Sequence, residues 1–398
     1  MLMKVIGVET SCDETAVAVI EISDKRQEIK SIKVLSNTIS SQVKLHAKYG
    51  GVVPNLAARE HVKNIGHVFR LALKTAKINP SSDGFKKEID LIAVTRGPGL
   101  GPALLVGITF AKTIAWKYSK PLIGVSHLEG HIYSNWLPIT VNPKLKILNS
   151  KQIQNSKFKI DSKNIFPVLN LIVSGGHTEL VLMLGHGKYK LIGETLDDAI
   201  GEAFDKVARL LSLGYPGGPA ISKIAEKGNP NRYPLPSPMI HAKNYNFSYS
   251  GLKTAVLYLL RDLNFPIRNS KFVPIALQSR ILDRIGIIRN SRQKADIAAS
   301  FQKAALDVLI LKTIKAAKEY KVKSILLSGG VSANKELRKR LSLEAKKIKI
   351  KYSQPELEYT GDNAAMIALA GYFSAQKHGN KKDSLNWESV EMDANLGF

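Results

Sequence analysis

Cysteine and long apolar segments are both scarce in this sequence. Its 398 residues include a single cysteine, Cys12, so no internal disulfide can form and nothing argues for a secreted protein. No apolar run reaches the roughly 18 residues of a membrane-spanning helix, and the N-terminus enters a strand pattern directly, without a signal peptide. We therefore expect a cytoplasmic protein, or an organellar one after import, that has no membrane partner.

Acidic residues are few relative to basic ones. The chain has 58 Lys and Arg against 33 Asp and Glu, which gives a formal net charge of +25 at pH 7. Positive charge of this size favours polyanionic partners such as nucleic acid. A lysine-rich proteome would produce the same excess, because many lysines fall in runs such as residues 346–351. Charge alone therefore leaves nucleic-acid binding open.

Two common nucleotide-binding motifs are missing. Residues 96–102 read Arg-Gly-Pro-Gly-Leu-Gly-Pro and follow a buried-type strand at 89–94. Pro102 stands where the dinucleotide fingerprint requires its third glycine, and no Walker A sequence occurs in the chain. Neither a Rossmann enzyme nor a P-loop NTPase is supported.

Two similar strand–turn–strand units are present, at residues 4–22 and 168–184. Each opens a long α/β stretch, and the chain is long enough for two cores, so the pattern predicts a duplicated, two-lobed α/β architecture. Their turns, 10–14 and 174–178, contain small residues whose backbone N–H groups can hold phosphate or carboxylate oxygens. Taken singly, each turn is better explained as an ordinary hairpin.

A pair of histidines follows the hydrophobic strand at 121–125. His127 and His131 are spaced i and i+4, so on a helix they can present two imidazole nitrogens to one metal ion. A zinc-protease motif is disfavoured, because Glu129 does not directly follow the first histidine and lies off its face. The alternative is that both histidines end a helix and hydrogen-bond locally, since a metal site also needs a third ligand.

Two later helices carry residues that are candidates for a functional role. The helix predicted at 195–211 carries Gly201 in its interior, which costs roughly 1 kcal/mol relative to Ala and suggests a close approach to the backbone there. Its Asp205 is most simply an exposed i,i+4 ion pair with Arg209. Asp362, where the last helix opens, would by itself be an N-cap.

A glycine turn joins a strand to a helix near the end of the chain. The strand at 324–327 enters the turn at 328–334, and a helix begins near Lys335. Strand, glycine turn and helix N-terminus together form a corner suited to anions.

Taken together and in order, these segments resemble the tRNA threonylcarbamoyladenosine-synthesis transferase family, called TsaD in bacteria. The matching segments are 7–15, 96–101, 127–131, 173–178, 201–206, 215–219, 247–253, 328–334 and 360–364. Residues 139–165 and about 264–294 look like lineage insertions. The turn that bears Cys12 and the intact 201–206 segment look more bacterial or mitochondrial than archaeal.

The resemblance implies an actin-like ATPase (ASKHA) fold, an α/β fold of two duplicated lobes with the active site in the cleft between them. It implies an N-terminal lobe at 1–138, an inserted loop at 139–165 and a C-terminal nucleotide-binding lobe at 166–360. That lobe would contain the second insertion, and residues 361–398 would form a helix that packs back at the cleft and a tail.

The resemblance also implies an acyltransferase activity. The family transfers a threonylcarbamoyl group from threonylcarbamoyl-AMP to N6 of the adenosine at position 37 of tRNAs that read ANN codons, which forms t6A. The implied partners are tRNA, the proteins TsaB and TsaE, and a TsaC-type adenylate synthase, with a homodimer as the alternative arrangement.

Site residues carry over from the family by position. The metal ligands fall on His127, His131 and Asp362, for one divalent ion per subunit that the resemblance favours as Fe²⁺, with Zn²⁺ or Mn²⁺ as alternatives. Contacts to ATP or an adenylate fall on Ile172, Val173, Ser174, Gly175, Gly176, Asp205, Gly218 and Asn334. No dedicated general base is evident, and Asp13 and Glu14 are the candidate catalytic residues.

Two rival functions share the same fold family. An actin-like small-molecule kinase or ATPase would use the cleft on ATP, but Mg²⁺ prefers oxygen ligands to a histidine pair. A catalytically inactive paralogue that serves as a dimerisation scaffold should lack the histidine pair and the glycine turns.

Overall fold

The computed structural model of the protein describes residues 2–25, 28–138, 165–263, 291–378 and 386–398. The two expected insertions, 139–165 and about 264–294, lie almost wholly outside these described residues.

The first sheet is formed by the N-terminal part of the chain. Its strands are β1 (Leu2–Glu9), β2 (Glu14–Lys25), β3 (Glu28–Ser41), β4 (Leu91–Gly97) and β5 (Leu122–Ser126), in the order β3-β2-β1-β4-β5. The first three form an antiparallel meander, and β4 and β5 add in parallel beside β1. Parallel neighbours require crossover connections, which are helical here.

The helices of this half are α1 (Val43–His46), α2 (Pro54–Thr75), α3 (Ser82–Glu88), α4 (Gly101–Tyr118) and α5 (His127–Tyr133). α2 and α4 contact each other and the sheet, and their apolar residues form one core with β1, β2 and β4.

The second sheet repeats the topology of the first. Its strands are β6 (Val168–Val173), β7 (Thr178–Gly185), β8 (Lys188–Glu194), β9 (Ser324–Ser328) and β10 (Lys351–Ser353), in the order β8-β7-β6-β9-β10. Again the first three strands are antiparallel, and the last two add in parallel beside the first. The prediction of a duplicated α/β architecture is confirmed.

The helices of the second half are α6 (Ile200–Leu210), α7 (Gly217–Ala225), α8 (Ser250–Asp262), α9 (Ser291–Glu319), α10 (Lys335–Lys347) and α11 (Ala364–His378). The predicted start of α6 at residue 195 is wrong by five residues. Thr195 forms a parallel bridge with Phe247, and Asp197 accepts hydrogen bonds from Tyr249 N and Ser250 N. These distant contacts hold the segment before α6 in an irregular conformation.

α11 returns from the second half to pack on the first sheet. A Cβ added to Gly7 of β1 would lie 2.0 Å from Ala364 O, and one added to Gly371 of α11 would lie 2.4 Å from Ala93 Cβ. Only glycine therefore permits this close contact. The core around α11 contains residues of both sheets, which joins the two halves and brings Asp362 beside α5. Within the described residues, none of the helices combines the length and apolar character that a membrane span requires.

Candidate metal centre and nucleotide cleft

α5 and the segment before α11 bring three metal-ligand side chains together. α5 begins directly at the end of β5, which buries both His127 and His131. Asp362 Oδ1 lies 3.5 Å from His127 Nε2 and 3.3 Å from His131 Nε2. These are the three residues that the family resemblance places at the metal.

The donor set fits a divalent transition metal. Ligand atoms bonded at about 2.1 Å in tetrahedral geometry are about 3.4 Å apart, which matches the separations of Asp362 Oδ1 from the two imidazoles. His131 is fully buried, its Nδ1 has no hydrogen-bond partner in the described structure, and its Nε2 has only the 3.3 Å approach to Asp362 Oδ1. A buried imidazole with so few partners is costly, and a metal ion bound at Nε2 would offset that cost. Two imidazoles and one carboxylate leave coordination positions open for substrate.

A buried carboxylate, Glu9, fixes the orientation of His127. Glu9 Oε2 lies 3.0 Å from His127 Nδ1, and Glu9 also accepts hydrogen bonds from Ser11 N at 2.5 Å and Thr95 Oγ1 at 2.6 Å. An imidazole that donates Nδ1–H to a carboxylate keeps the Nε2 lone pair for a metal. Sequence reasoning did not identify this role of Glu9, although an acidic residue ending a buried apolar strand was a signal for it.

The charges around the centre favour a cation. Burial alone would lower the pKa of His127, but Asp362 and Glu9 raise it to about 9. Burial alone would raise the pKa of Asp362, but His127 and His131 lower it to about 2. Asp362 therefore presents an ionised carboxylate to the space between the rings.

The N-cap interpretation of Asp362 is wrong, because the next residue performs that function. Asn363 Oδ1 accepts a hydrogen bond from Met366 N at 3.1 Å. The side chain of Asp362 is thereby left to face the histidines. The local alternative for the histidines is also wrong, since His127 opens α5 and contacts Glu9 from another strand.

The candidate catalytic residues Asp13 and Glu14 follow the turn after β1. Glu14 accepts a hydrogen bond from Ser41 Oγ at 2.9 Å. Burial, together with Asp362 and Asp13, raises the pKa of Glu14 to about 9. A cation bound beside Asp362 would act in the opposite direction and lower the pKa of Glu14.

The glycine turns of the second half pack against one another. A Cβ on Gly201 would lie 2.5 Å from Ser174 O, and one on Gly329 would lie 2.4 Å from Val173 O. The expected close approach at Gly201 is therefore observed, and its neighbour is the turn after β6. Ile172 and Val173 are fully buried, so they support the turn after β6 from within the core.

Four glycines near these turns face open space. A Cβ added at any of them would meet no heavy atom within 4 Å. They are Gly175, Gly176, Gly218 and Gly330. Backbone that is bare on one side and packed on the other is suited to close approach by a phosphate or a ring.

Asp205 lies beside these turns rather than on an exposed helix face. Its Oδ1 accepts a hydrogen bond from Gly217 N at 2.6 Å, and Arg209 donates to Gly50 O instead of pairing with it. Burial raises the pKa of Asp205 despite the amides of Gly217 and Gly218, which act in the opposite direction. The exposed ion pair with Arg209 is not observed, because the backbone at Gly217 packs directly on Asp205.

Asn334 has a structural role in the same region. Its Oδ1 accepts from Leu337 N and caps α10, while Nδ2 donates to Ser222 Oγ and Gln302 Oε1, each bond measuring 2.9 Å. These bonds tie the turn after β9 to α7 and α9. A nucleotide contact by Asn334 stays a prediction.

His177 and Tyr215 lie close to charged groups of both halves of the protein. Burial, together with the nearby His127 and His131, lowers the pKa of His177 in the turn after β6 to about 4. Burial raises the pKa of Tyr215, and the carboxylates of Asp13 and Asp205 raise it too. α5, which carries both histidines, also contacts β6 and β9, so the triad lies beside the glycine turns that follow these strands.

Comparison with known proteins identifies the family. The sequence model of TsaD, tRNA N6-adenosine threonylcarbamoyltransferase, matches residues 33–150 and 147–369. This chain belongs to that family. The protein of this name from Thermosipho melanesiensis is 47% identical over 370 residues, with 93% of this chain and 94% of the relative covered. The Bacillus subtilis protein is 43% identical over 376 residues, with coverages of 94% and 91%.

Solved structures agree on the fold. HypF from T. kodakarensis superposes with a TM-score of 0.53 at 15% identity, over 97% of this chain and 49% of HypF. Together with the duplicated sheets, this shows the two-lobed actin-like ATPase fold. Membership of the transferase family makes the protein an acyltransferase and removes the scaffold and metalloprotease alternatives.

Proposed function

We propose that this protein transfers the threonylcarbamoyl group from threonylcarbamoyl-AMP to N6 of adenosine 37 in tRNAs that read ANN codons. The observation that carries the proposal is the cleft itself, in which the triad of His127, His131 and Asp362 lies beside open glycine turns. A metal triad suits an anhydride donor, and bare backbone suits the nucleotide attached to it.

The proposed reaction is an acyl transfer that balances without any redox partner. The N6 amino group attacks the carbamoyl carbon, the new C–N bond forms, and the bond from that carbon to the phosphate oxygen breaks. AMP leaves with the electron pair, and N6 loses one proton. Adenosine 37 lies in a single-stranded loop, so presenting its base costs less than extracting a base from a duplex.

The adenylate lies, in this proposal, against the second half of the protein. The phosphate would lie against the backbone at residues 174–176 and near Gly330, where it could accept a hydrogen bond from Gly175 N. Asp205 uses Oδ1 on Gly217 N and has a second oxygen for the ribose hydroxyls, as acidic residues do in other nucleotide folds. Ile172, Val173, Gly218 and Asn334 would shape the same subsite.

The metal would be held by His127, His131 and Asp362, with Fe²⁺ favoured by the family and Zn²⁺ as the alternative. When bound, a divalent ion polarises carbonyl or phosphate oxygens and stabilises the negative charge that develops on them. Glu9 orients His127 for this purpose. Asp13 and Glu14, at the rim of the same site, are the residues of this chain placed to receive the N6 proton, directly or through water.

The proposal includes the family's partners and setting. Threonylcarbamoyl-AMP is a reactive anhydride, so a TsaC-type adenylate synthase must supply it. TsaB and TsaE are the proposed protein partners, with a homodimer as the alternative arrangement. A tRNA substrate supports a cytoplasmic location.

Nucleoside analysis tests the proposal directly. Unmodified tRNA is incubated with the metal-loaded protein, threonine, bicarbonate, ATP and the adenylate-forming enzyme, with and without TsaB and TsaE. We expect t6A at position 37 with the wild type and none with His131→Ala. Absence of t6A from every mixture that contains folded, metal-loaded wild type would refute the proposed function. ATP-dependent phosphorylation of a hydroxyl acceptor would favour the kinase alternative instead.

A further inference from the structure

The duplicated topology makes two surface grooves equivalent. In each half a helix connects the fourth strand of the sheet to the fifth, which is an edge strand. That helix is α4 in the first half and α10 in the second, and the edge strands are β5 and β10. We call the space between each helix and its edge strand a groove.

The chain itself fills the first groove. Val390 is buried in the core that contains α4, and its Cγ1 would lie 3.0 Å from a Cβ added to Gly124 of β5. Lys112 of α4 donates to Glu388 O at 3.2 Å, and Asp393 N donates to Arg96 O at 2.8 Å. The occupant of this groove is therefore the tail at residues 387–393, which buries Val390 and carries the acidic residues Glu388, Glu391 and Asp393.

The second groove is open and basic. It has a volume of about 560 Å³, and its lining includes Arg338, Ser342, Lys346, Lys349, Lys351 and Tyr352. We call these six residues the basic groove. The lining contains one carboxylate, Glu356, against four cationic side chains. A lining of this charge complements an anionic ligand.

The three lysines of the basic groove are available for a ligand. Lys346, Lys349 and Lys351 are exposed, and within the described residues none of them forms an ion pair. Neighbouring cations are already used, since Lys347 pairs with Glu344 and Arg340 pairs with Asp307. A solvent-exposed lysine needs no ion-pair partner for stability. Three lysines that line one concave surface nevertheless raise the positive electrostatic potential there.

Arg338 connects the basic groove to the cleft. It donates to Ser332 O in the turn after β9, and to Pro355 O at 2.8 Å. Residues 354–361 then lead directly to the metal-ligand candidate Asp362. One end of the groove is thus held against the nucleotide turn, and the other end extends outward along β10.

We propose that the basic groove binds the phosphodiester backbone of the tRNA substrate. This inference rests on the proposed function for the identity of the polyanion. A strand of RNA presents regularly spaced negative charges, and lysines along a groove can neutralise several of them. An acidic protein segment, like the tail in the first groove, is the alternative that the experiment must reject.

Charge reversal with a matched control tests the groove. The test protein carries Lys346→Glu, Lys349→Glu and Lys351→Glu, and the control carries Lys74→Glu, Lys77→Glu and Lys87→Glu. The control lysines are exposed in the first half, so both triple variants change the net charge equally. Affinity for an unmodified tRNA transcript is measured over a range of salt concentrations. A third protein with all three groove lysines changed to Arg retains the charge.

The groove variant should lose at least about tenfold in tRNA affinity near physiological salt. The slope of log affinity against log salt should fall by about two to three, because each phosphate contact contributes about 0.9. The control should show a much smaller loss of tRNA affinity and a much smaller change in the salt slope. The arginine variant should bind like the wild type. Equal losses in the groove and control variants would overturn the proposal and leave a protein partner as the occupant.

The same samples separate this inference from the proposed function. Metal content and affinity for an adenylate analogue should be unchanged in the groove variant, which also shows that it is folded. Groove-dependent tRNA binding by a wild type that forms no t6A would reject the proposed reaction but uphold the docking surface. Normal t6A formation by a wild type whose tRNA affinity does not depend on the groove lysines would uphold the proposed reaction and reject the docking surface.

Discussion

The turns after β1 and after β6 occupy the same place in their sheets but have opposite chemistry. The first presents polar side chains, among them Ser11, whose hydroxyl lies 3.2 Å from His127 Nδ1. The second presents Gly175 and Gly176, which have no neighbour within 4 Å of an added Cβ. The two halves thus share a topology and divide the site, since the first supplies the two histidines and the second supplies bare backbone, while Asp362 enters from the segment before α11.

This difference shows how a duplicated fold acquires one asymmetric site. The topology determines where the turns lie, and the residues in the turns determine what each can bind. If the division is correct, changes in the first half should affect the metal, and changes in the second half should affect the nucleotide.

The largest expected effect concerns the histidine pair. His127→Ala and His131→Ala should each abolish stoichiometric metal and transfer activity, because two remaining ligands make a poor site. Elemental analysis of the purified proteins measures the metal, and His67→Ala, at an exposed position of α2, is the control. Full metal occupancy in both variants would remove these residues from the site.

Glu9→Gln should weaken metal binding by about ten- to a hundredfold without removing a ligand. Loss of a carboxylate partner of a metal-bound histidine typically has an effect of this size. A competitive metal titration gives the affinity, and Glu179→Gln changes another buried carboxylate in the second half. The same affinity in Glu9→Gln and wild type would mean that His127 is oriented by other contacts.

Asp205→Asn should weaken adenylate binding by roughly ten- to a hundredfold, since hydrogen bonds to a charged acceptor contribute about 1.5–3 kcal/mol. The matched control is Glu202→Gln, one turn earlier on α6, where the side chain forms an exposed ion pair with Lys206. That pair should contribute less than about 1 kcal/mol to stability and nothing to binding. Equal effects of the two substitutions would contradict a specific role for Asp205.

Gly218→Ala should have the smallest effect, a loss of roughly tenfold or less in adenylate affinity, because one methyl group would occupy space reserved for ligand. The protein itself has room for that methyl group, so stability should not fall. Gly66→Ala adds a methyl group at another open position, on α2, and should leave the affinity unchanged. Unaltered binding in Gly218→Ala would place the ligand away from this turn.

Much of the architecture could be predicted from sequence, because it depends on local patterns. Both strand–turn–strand units and the close approach at Gly201 follow from hydrophobic runs and small residues. The start of α6 and the role of Glu9 could not be predicted in this way. Glu9 and His127 are 118 positions apart, and hydrophobic periodicity carries no information about which distant polar groups meet.

The site residues also differ in whether local sequence patterns can predict them. The spacing of His127 and His131 is visible in the sequence, but their common neighbour Asp362 comes from a different element after the chain has crossed both halves. By local rules Asp362 was the capping residue, and only the position of Asn363 shows that the cap lies one residue later. Resemblance to a family supplied what local physics could not.

Parallel titrations of metal and of a non-hydrolysable adenylate analogue into Glu9→Gln and Asp205→Asn test the division of the site most directly. We predict a crossed result. Glu9→Gln should bind the metal about ten- to a hundredfold more weakly and retain affinity for the adenylate part of the analogue. Asp205→Asn should bind the analogue more weakly and retain its metal. If each variant lost both ligands to a similar extent, the two halves would not act separately and the account would be contradicted.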